Sequence, residues 1–278
     1  MCHSCGGEII MKRPPTEPDF VEALARGLNV ISAFSLSHLA LSVSDVAAAT
    51  KLARPTVRRL LLTLESLGYV RSANGVYFLT PKVLELGTAY ISAQGMWDIA
   101  RPRLEALVEK TKESSSMSQL IGSDIVYTAR VPVPKIIGMS VHIGTRFPAY
   151  ATSMGRVLLS DLTAKELDAV LKTPSDSGVV PRLKFARKEL DQSLAEIRKR
   201  GWAMSDEQLS FGIRSIAAPV RDASGRTVAA VNVTVNAAET SIAVLKKEHL
   251  PLLLSTAAAI THDFAAMSLL PTTSPLNP

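Results

Sequence analysis

The sequence predicts two compact units: a mainly helical unit of three short helices closed by a β-hairpin, and an α+β unit in which a largely antiparallel sheet carries flanking helices. Three observations predict this. Apolar residues recur at steps of three and four in three successive segments ahead of Gly68. Asn74-Gly75 then separates two strand-forming runs, the strongest short-range signal for a tight hairpin. From Ser114 onward, strand-like runs bounded by turn residues are interspersed with helical stretches. With 278 residues, 47% hydrophobic and 20% charged, the chain has length for two cores and lacks the composition of a disordered protein.

Residues 1–18 read as a flexible N-terminal segment. Cys2 and Cys5 form a C-x-x-C around His3, but no second ligand pair has zinc-site spacing, so no metal is expected there. The segment lacks the apolar core of a secretory signal, which favours the cytoplasm, and either Met1 or Met11 suits a start. No apolar run is long and unbroken enough to span a membrane.

Residues 19–80 form the first unit. "FVEALARGLNVISAF" places Phe20, Leu24, Leu28, Ile31 and Phe34 on one helical face. "SVSDVAAATKL" reads as a short second helix capped by Ser44, with Val46, Ala47 and Leu52 inward. "ARPTVRRLLLTLESLGYV" reads as a third, with Pro55 in its first turn, Val57, Leu60, Leu61, Leu64 and Leu67 as its buried stripe, and Gly68 as its stop. Three helices followed by a hairpin are the order of a winged helix-turn-helix, whose third helix enters the DNA major groove while the hairpin lies against the backbone.

The outward side of that helix carries groove-reading chemistry. Between Lys51 and Arg71 five basic side chains face one acid, Glu65. Arg58, Arg59 and Thr56 lie away from the leucine stripe, Arg54 and Pro55 at the helix start, and Arg71 and Asn74 on the wing. Arginine offers a bidentate fork to guanine or phosphate, and threonine a hydroxyl and a methyl for thymine. A solvated face with arginines for solubility has the same composition. The helix-helix-hairpin order and the local charge favour double-stranded DNA as the partner.

Residues 81–98, opening at Thr80-Pro81, read as a linker helix with apolar residues on more than one face, so pairing with its twin in a homodimer is expected. Helix continues from Gly95 to Lys112, bent near Pro102. Residues 99–267 form the second unit, of sensor type. Strands are expected in "SMSQLIG", "DIVYTARV", "IIGMSVHIG", "RSIAAPVRD" and "TVAAVNVTVN", and helices at 152–161, 163–172, 187–200, 239–248 and 251–266. Thr163 and Glu166 form a capping box, and Gly201 is a stop. Residues 268–278 are a flexible tail.

No catalytic residues, metal ligands or cofactor are predicted. The chain has no G-x-S-x-G, H-E-x-x-H, phosphate loop or dinucleotide fingerprint. A binding pocket is easier to argue. Thr152, Ser153 and Met154 fall at a helix start, where backbone N–H groups favour an anion. Ser215, Asn232 and Thr234 share one face of their strands, and Asp206 precedes them. The same residues also suit a plain helix cap and a solvated strand face.

"FVEALARGLNVISAF", "LESLGYV", "FLTPKVLELG", "FPAYATSMGRVLLS" and "GIRSIAAPVRDASGRTVAAVNV" closely resemble the IclR family of bacterial transcription regulators, from Asp19 to Ala266. The resemblance implies an N-terminal winged helix, a linker helix, a C-terminal effector domain with a GAF- or profilin-like sheet, and assembly as homodimers or homotetramers. It places effector contacts at Ser153, Met154, Asp206, Ser215, Asn232 and Thr234. Many members have glycine and alanine where this chain has Ser153 and Met154. "DFVEALARGL" and "FPAYATSMGRVLL" look most like the branch controlling protocatechuate, 4-hydroxybenzoate and β-ketoadipate catabolism. The expected function is a ligand-responsive regulator of a catabolic operon that senses a small organic acid. The alternative is a metabolic enzyme or sensor with its active site in the C-terminal domain and the winged helix as a protein-interaction module.

Overall fold

The computed structural model describes residues 20–35, 38–87, 95–134 and 141–268. The C-x-x-C, the two candidate start residues, residues 88–94 of the linker helix and the tail beyond 268 lie outside them. The chain divides into two units, residues 1–93 and 94–278.

In the first unit, α1 (Glu22–Ser32), α2 (Val43–Thr50) and α3 (Arg54–Ser66) surround a core of Val30, Phe34, Leu41, Val46, Val57, Leu61 and Leu64. The packed face of α1 differs from the expected stripe. Val30 is fully buried, whereas Leu24 and Leu28 are 63% and 51% exposed, and Phe20 is exposed as well. Spacing alone identifies an apolar stripe but cannot say what covers it. The cap of α2 is Ser42, not Ser44: the Ser42 hydroxyl accepts from the Asp45 N–H, and Asp45 reaches back to the Ser42 N–H at 2.8 Å. Those hydrogen bonds from the Ser42 side chain and backbone hold the Asp45 carboxyl below its ordinary value.

Helix α3 ends as its glycine requires. Gly68 adopts φ 80°, its N–H donates to Glu65 O, and the Tyr69 N–H donates to Leu64 O, so two otherwise unpaired carbonyls are satisfied. That turn leaves Leu67, expected in the buried stripe, 53% exposed. β1 (Val70–Ala73) and β2 (Val76–Leu79) pair antiparallel through Asn74 and Gly75, both at positive φ, as a type I′ turn demands. Leu41 pairs with Tyr77 and adds a bridge to the hairpin. The chain then enters a 3-10 turn, Pro81–Val83, capped by Thr80.

In the second unit, α4 (Met96–Thr111) runs on through Pro102. A six-stranded antiparallel sheet follows in the order β5-β4-β3-β8-β7-β6. Its strands are β3 (Ser114–Ile121), β4 (Asp124–Val131), β5 (Arg146–Pro148), β6 (Ala203–Asp206), β7 (Ile213–Arg221) and β8 (Thr227–Asn236). The helices are α5 (Ser153–Ser160), α6 (Ala164–Lys172), α7 (Arg187–Arg200) and α8 (Leu250–Ser268). α4 and α8 pack one sheet face through Leu104, Leu107, Val231, Val233, Leu253 and Ile260. α5, α6 and α7 pack the other through Met154, Leu158, Leu159, Leu167, Leu190 and Leu194. A glycine makes the second face possible: a Cβ on Gly155 would lie 2.1 Å from Ala149 O, so only glycine lets α5 start this close to the 3-10 turn Ala149–Ala151.

Three expectations change. In "IIGMSVHIG", residues 141–144 form no strand and 135–140 lie outside the described residues. β5 and β6, three and four residues long, carry too few positions for a visible alternation. The two C-terminal helices join instead of breaking at Pro251. A π-helical turn, Leu245–His249, sends the Leu250 N–H to Leu245 O, and the wider turn accommodates the proline ring without ending the helix.

Candidate functional site

The first candidate site is the outward face of α3 beside the hairpin. Arg54, Pro55, Arg58 and Arg59 are exposed and Thr56 is half-buried. Arg54 and Arg58 share a groove with Ser44 at the start of α2 and with Ser72, Asn74 and Gly75 on the hairpin. Arg59 is outside this groove on the exposed side. The hairpin is fastened to α3 by the Glu65 carboxylate, which accepts from the Ser72 N–H at 2.8 Å and the Ser72 hydroxyl at 2.6 Å. The one acid in the basic stretch therefore orients the wing and leaves the face cationic. Arg71 lies 4.5 Å over the Phe78 ring, which holds its guanidinium on the hairpin surface. The Thr63 and Ser66 hydroxyls bond back to Arg59 O and Leu62 O within the helix, so the free donors on this face are chiefly arginines. The Lys82 ammonium donates to Leu67 O and closes the far end of α3.

The second candidate site is a cavity of about 1230 Å³ in the second unit. Its wall includes Thr152, Ser153, Met154, Ser215, Asn232 and Thr234, so six of the seven residues expected from sequence meet in one place. Each has a structural reason to be there. Thr152 caps α5, its hydroxyl accepting from the Gly155 N–H at 3.0 Å, and this leaves the Ser153 and Met154 N–H groups without intrahelical acceptors. The Ser153 and Ser215 hydroxyls are 2.8 Å apart and join α5 to β7. Met154 is buried, its sulfur accepting from the Ser118 hydroxyl. Asn232 is fixed at both ends: its carbonyl accepts from the Ser116 N–H at 2.9 Å, and its amide donates to the Thr234 hydroxyl at 2.9 Å. Ser215 and Asn232 are buried in the cavity wall and Thr234 is half-buried, so this strand face is not simply open to solvent.

Asp206 is the exception. Ser205 and Glu207 border the cavity, and strand alternation turns Asp206 away, where the Arg214 guanidinium holds it at 2.7 Å. Asp206 thus sits in an ion pair at the rim of the cavity, off the stretch of wall formed by the other six residues.

Register arranges the wall in rungs. Ser114, Thr234, Ser215 and Ser205 stand opposite one another on four adjacent strands, a row of hydroxyls across the sheet. One rung along, Arg130, Ser116 and Asn232 are aligned in the same way. Tyr127, Phe147, Val141, Leu209 and Phe211 supply apolar wall. Tyr127 and Phe147 meet edge to face, 5.7 Å between ring centres. Burial pushes the Tyr127 phenol up to about 12, so it remains a protonated donor at neutral pH.

Sequence reasoning missed Ser114, Ser205, Tyr127 and Arg130. The first two carry a period-2 signal that only pairing resolves. The last two were hidden by a bulge: Ser118 pairs with Tyr127 and Met117 with Ala129, so Thr128 is an extra residue in β4. In a regular strand, Tyr127 and Arg130 would face opposite sides; here both border the cavity. The arrangement can bind a molecule with an apolar middle and acidic or hydroxylated ends. Among the described residues, no group of three or more His, Cys, Asp or Glu side chains could hold a metal ion.

Comparison with known proteins identifies the family of both units. Residues 23–73 match the model described as IclR helix-turn-helix domain, and residues 88–262 match that described as Bacterial transcriptional regulator IclR C-terminal. The chain is 37% identical over 248 residues to the Pca regulon regulatory protein of Pseudomonas putida, covering 89% of this chain and 85% of that one. It is 30% identical over 244 residues to the p-hydroxybenzoate hydroxylase transcriptional activator of Acinetobacter baylyi, covering 86% and 90%. Among solved structures, a transcriptional regulator from Rhodococcus sp. RHA1 superposes with a TM-score of 0.77 at 48% identity, covering 89% of this chain and 100% of that chain. An IclR homolog from Microbacterium hydrocarbonoxydans, complexed with 4-hydroxybenzoate, shares the fold with a TM-score of 0.74 at 20% identity, over 88% and 100% of the two chains.

Proposed function

Because this chain belongs to the IclR family of bacterial transcriptional regulators, we propose that it reads operator DNA with α3 and the hairpin, and that it senses a small organic acid of aromatic catabolism in the second-unit cavity. It is a regulator and not an enzyme. The similar proteins are regulators, and the alternative of a metabolic active site in the C-terminal domain has no support from them. The named relatives control the Pca regulon and p-hydroxybenzoate hydroxylase, and one solved homolog holds 4-hydroxybenzoate, which supports an aromatic acid or a β-ketoadipate-pathway metabolite as the ligand.

The observation that carries the reading is the convergence of Thr152, Ser153, Met154, Ser215, Asn232 and Thr234 on one cavity. The donors at the start of α5 and on the rungs fit an acid group, and the aromatic wall fits a ring or hydrocarbon middle. In this reading residues 19–80 bind DNA, 81–98 link, and 99–267 bind the effector and assemble. Homodimers, or pairs of them, are supported by exposed apolar side chains at Phe20 just before the first helix, at Leu24 and Leu28 on it, and at Leu84 and Leu86 after the hairpin. Light scattering at micromolar concentration that returned only monomer, with and without DNA, would rule assembly out. Among the described residues no helix is long and apolar enough to cross a membrane, and a cytoplasmic site of action is part of the proposal.

Calorimetry tests the effector reading. Protocatechuate, 4-hydroxybenzoate, β-ketoadipate and simple 2-oxo acids are titrated into the full chain and into the Ser215→Ala, Asn232→Ala double variant. Binding of at least one six-carbon or aromatic acid, weakened at least about tenfold in the double variant, is expected from the loss of hydrogen bonds to a charged ligand. Equal affinity in both proteins would mean the pocket is misplaced.

A further inference from the structure

Phe211 is the one exposed residue in the loop that joins β6 to β7. Residues 207–210 and Gly212 are half-buried, whereas Phe211 is 78% exposed although it borders the cavity. A large apolar side chain is ordinarily the part of such a loop that gains most from burial. Ile143, in the connection between β4 and β5, is 50% exposed and borders the same cavity. β5 and β6 are the two edges of the sheet, so uncovered apolar side chains flank the cavity from both ends.

The loop is fastened at its root and unfastened at its tip. The Glu207 N–H donates to Ile213 O at 2.9 Å, the Glu207 carboxylate accepts from the Gly212 N–H at 2.8 Å, and Arg182 Nε donates to Glu207 O at 2.7 Å. The Arg182 and Leu183 N–H groups donate to Leu209 O and Gln208 O. Among the described residues nothing hydrogen-bonds to the Phe211 backbone. Both bends lie at positive φ, Glu207 at 53° and Gly212 at 76°, and the first costs a residue that bears a Cβ. The Gln208 side-chain oxygen is buried with no partner among the described residues, a further cost of this placement of the loop. The cavity is also large for a small acid: its 1230 Å³ exceeds the roughly 300–1,000 Å³ of sites that enclose most of a drug-sized ligand. A single-ring or short-chain acid is smaller than such a ligand, so with the loop in this position much of the space around it is left to water.

Resting on the effector reading above, we propose that Phe211 is an effector-binding residue: the loop tip, Ser210 and Phe211, turns inward about Gly212 and lays the ring over the apolar part of the bound acid. The ring then touches the ligand only in the closed arrangement, which supplies the difference in affinity that a ligand-driven switch requires. Closure also removes water from the Ser153–Ser215 end, where hydrogen bonds to an acid group strengthen as the surroundings become less polar.

The test uses the full chain with protocatechuate, 4-hydroxybenzoate and β-ketoadipate. Chymotrypsin cleaves after accessible phenylalanine, and mass spectrometry follows the cut between Phe211 and Gly212. At saturation an acid that binds slows that cut at least about tenfold, because a covered and ordered loop tip is a poor protease site. In calorimetry Phe211→Ala binds the same acid about tenfold or more weakly, as expected when the apolar area of a covering ring is lost, and Phe211→Leu recovers most of the affinity. An unchanged cut with the acid bound, or unchanged affinity in Phe211→Ala, overturns the proposal and leaves the effector reading standing. A cut that slows with rising protein concentration in the absence of acid assigns Phe211 to a contact between copies and overturns the proposal as well. If none of the three acids binds the wild type, the effector reading falls and the closing loop falls with it.

Discussion

At the scale of single residues, the proposed DNA-reading face rests on a division of labour that charge counts do not reveal. Glu65 would be taken as cancelling one arginine, yet it spends both its acceptor interactions on Ser72 and fixes the wing. Arg58 and Arg54 share the groove with Asn74, whereas Arg59 stands free of it. A base-reading arginine contributes differently from a phosphate-binding one. Arg59→Ala is expected to cost about 1–3 kcal/mol at the operator and to relax discrimination at one base pair, if its fork meets guanine. Arg71→Ala on the wing should weaken all duplexes alike. Fluorescence anisotropy with operator and scrambled duplexes separates the two, and equal losses on both duplexes for Arg59→Ala would reassign it to the backbone.

At the scale of elements, the close approach of α5 to the Ala149–Ala151 turn holds the cavity's helix start in place. Thr152 supplies the cap, and Gly155 supplies the missing side chain. Gly155→Ala forces a methyl into the Ala149 backbone, which cannot give way as a flexible side chain would. The expected result is a loss of about 1–3 kcal/mol of stability with weakened effector binding, read by thermal melting and calorimetry. An unchanged melting temperature would show that the turn moves freely. Much at this scale was legible in the sequence. Pro55, Gly68 and Asn74-Gly75 punctuate the first unit as their backbone preferences require, and Thr163 and Glu166 form the expected box. What was not legible depends on pairing partners. Asp206 falls off the cavity wall because one residue of offset reverses a strand's face, and Arg130 was hidden because a bulge does the same. The stripe of α1 was legible as apolar, but what covers it was not, since Leu24 and Leu28 need a neighbour that the first unit's core does not provide.

At the scale of the whole molecule, regulation requires that the effector bind two arrangements of the protein with different affinity, because a ligand with equal affinity for both shifts nothing. The central claim comes before this: α3 meets DNA through its arginines. Neutralising several phosphates releases counterions, so affinity falls linearly with salt on logarithmic axes, and removing phosphate contacts flattens the slope. The direct measurement is anisotropy of a labelled duplex from the region upstream of the chain's own gene, titrated with wild type and with a folded Arg54→Ala, Arg58→Ala, Arg59→Ala variant across a range of potassium chloride. The account predicts tight wild-type binding that weakens steeply with salt, and a variant that binds far more weakly with a shallower slope. Equal affinity and equal slope for the two proteins would contradict it.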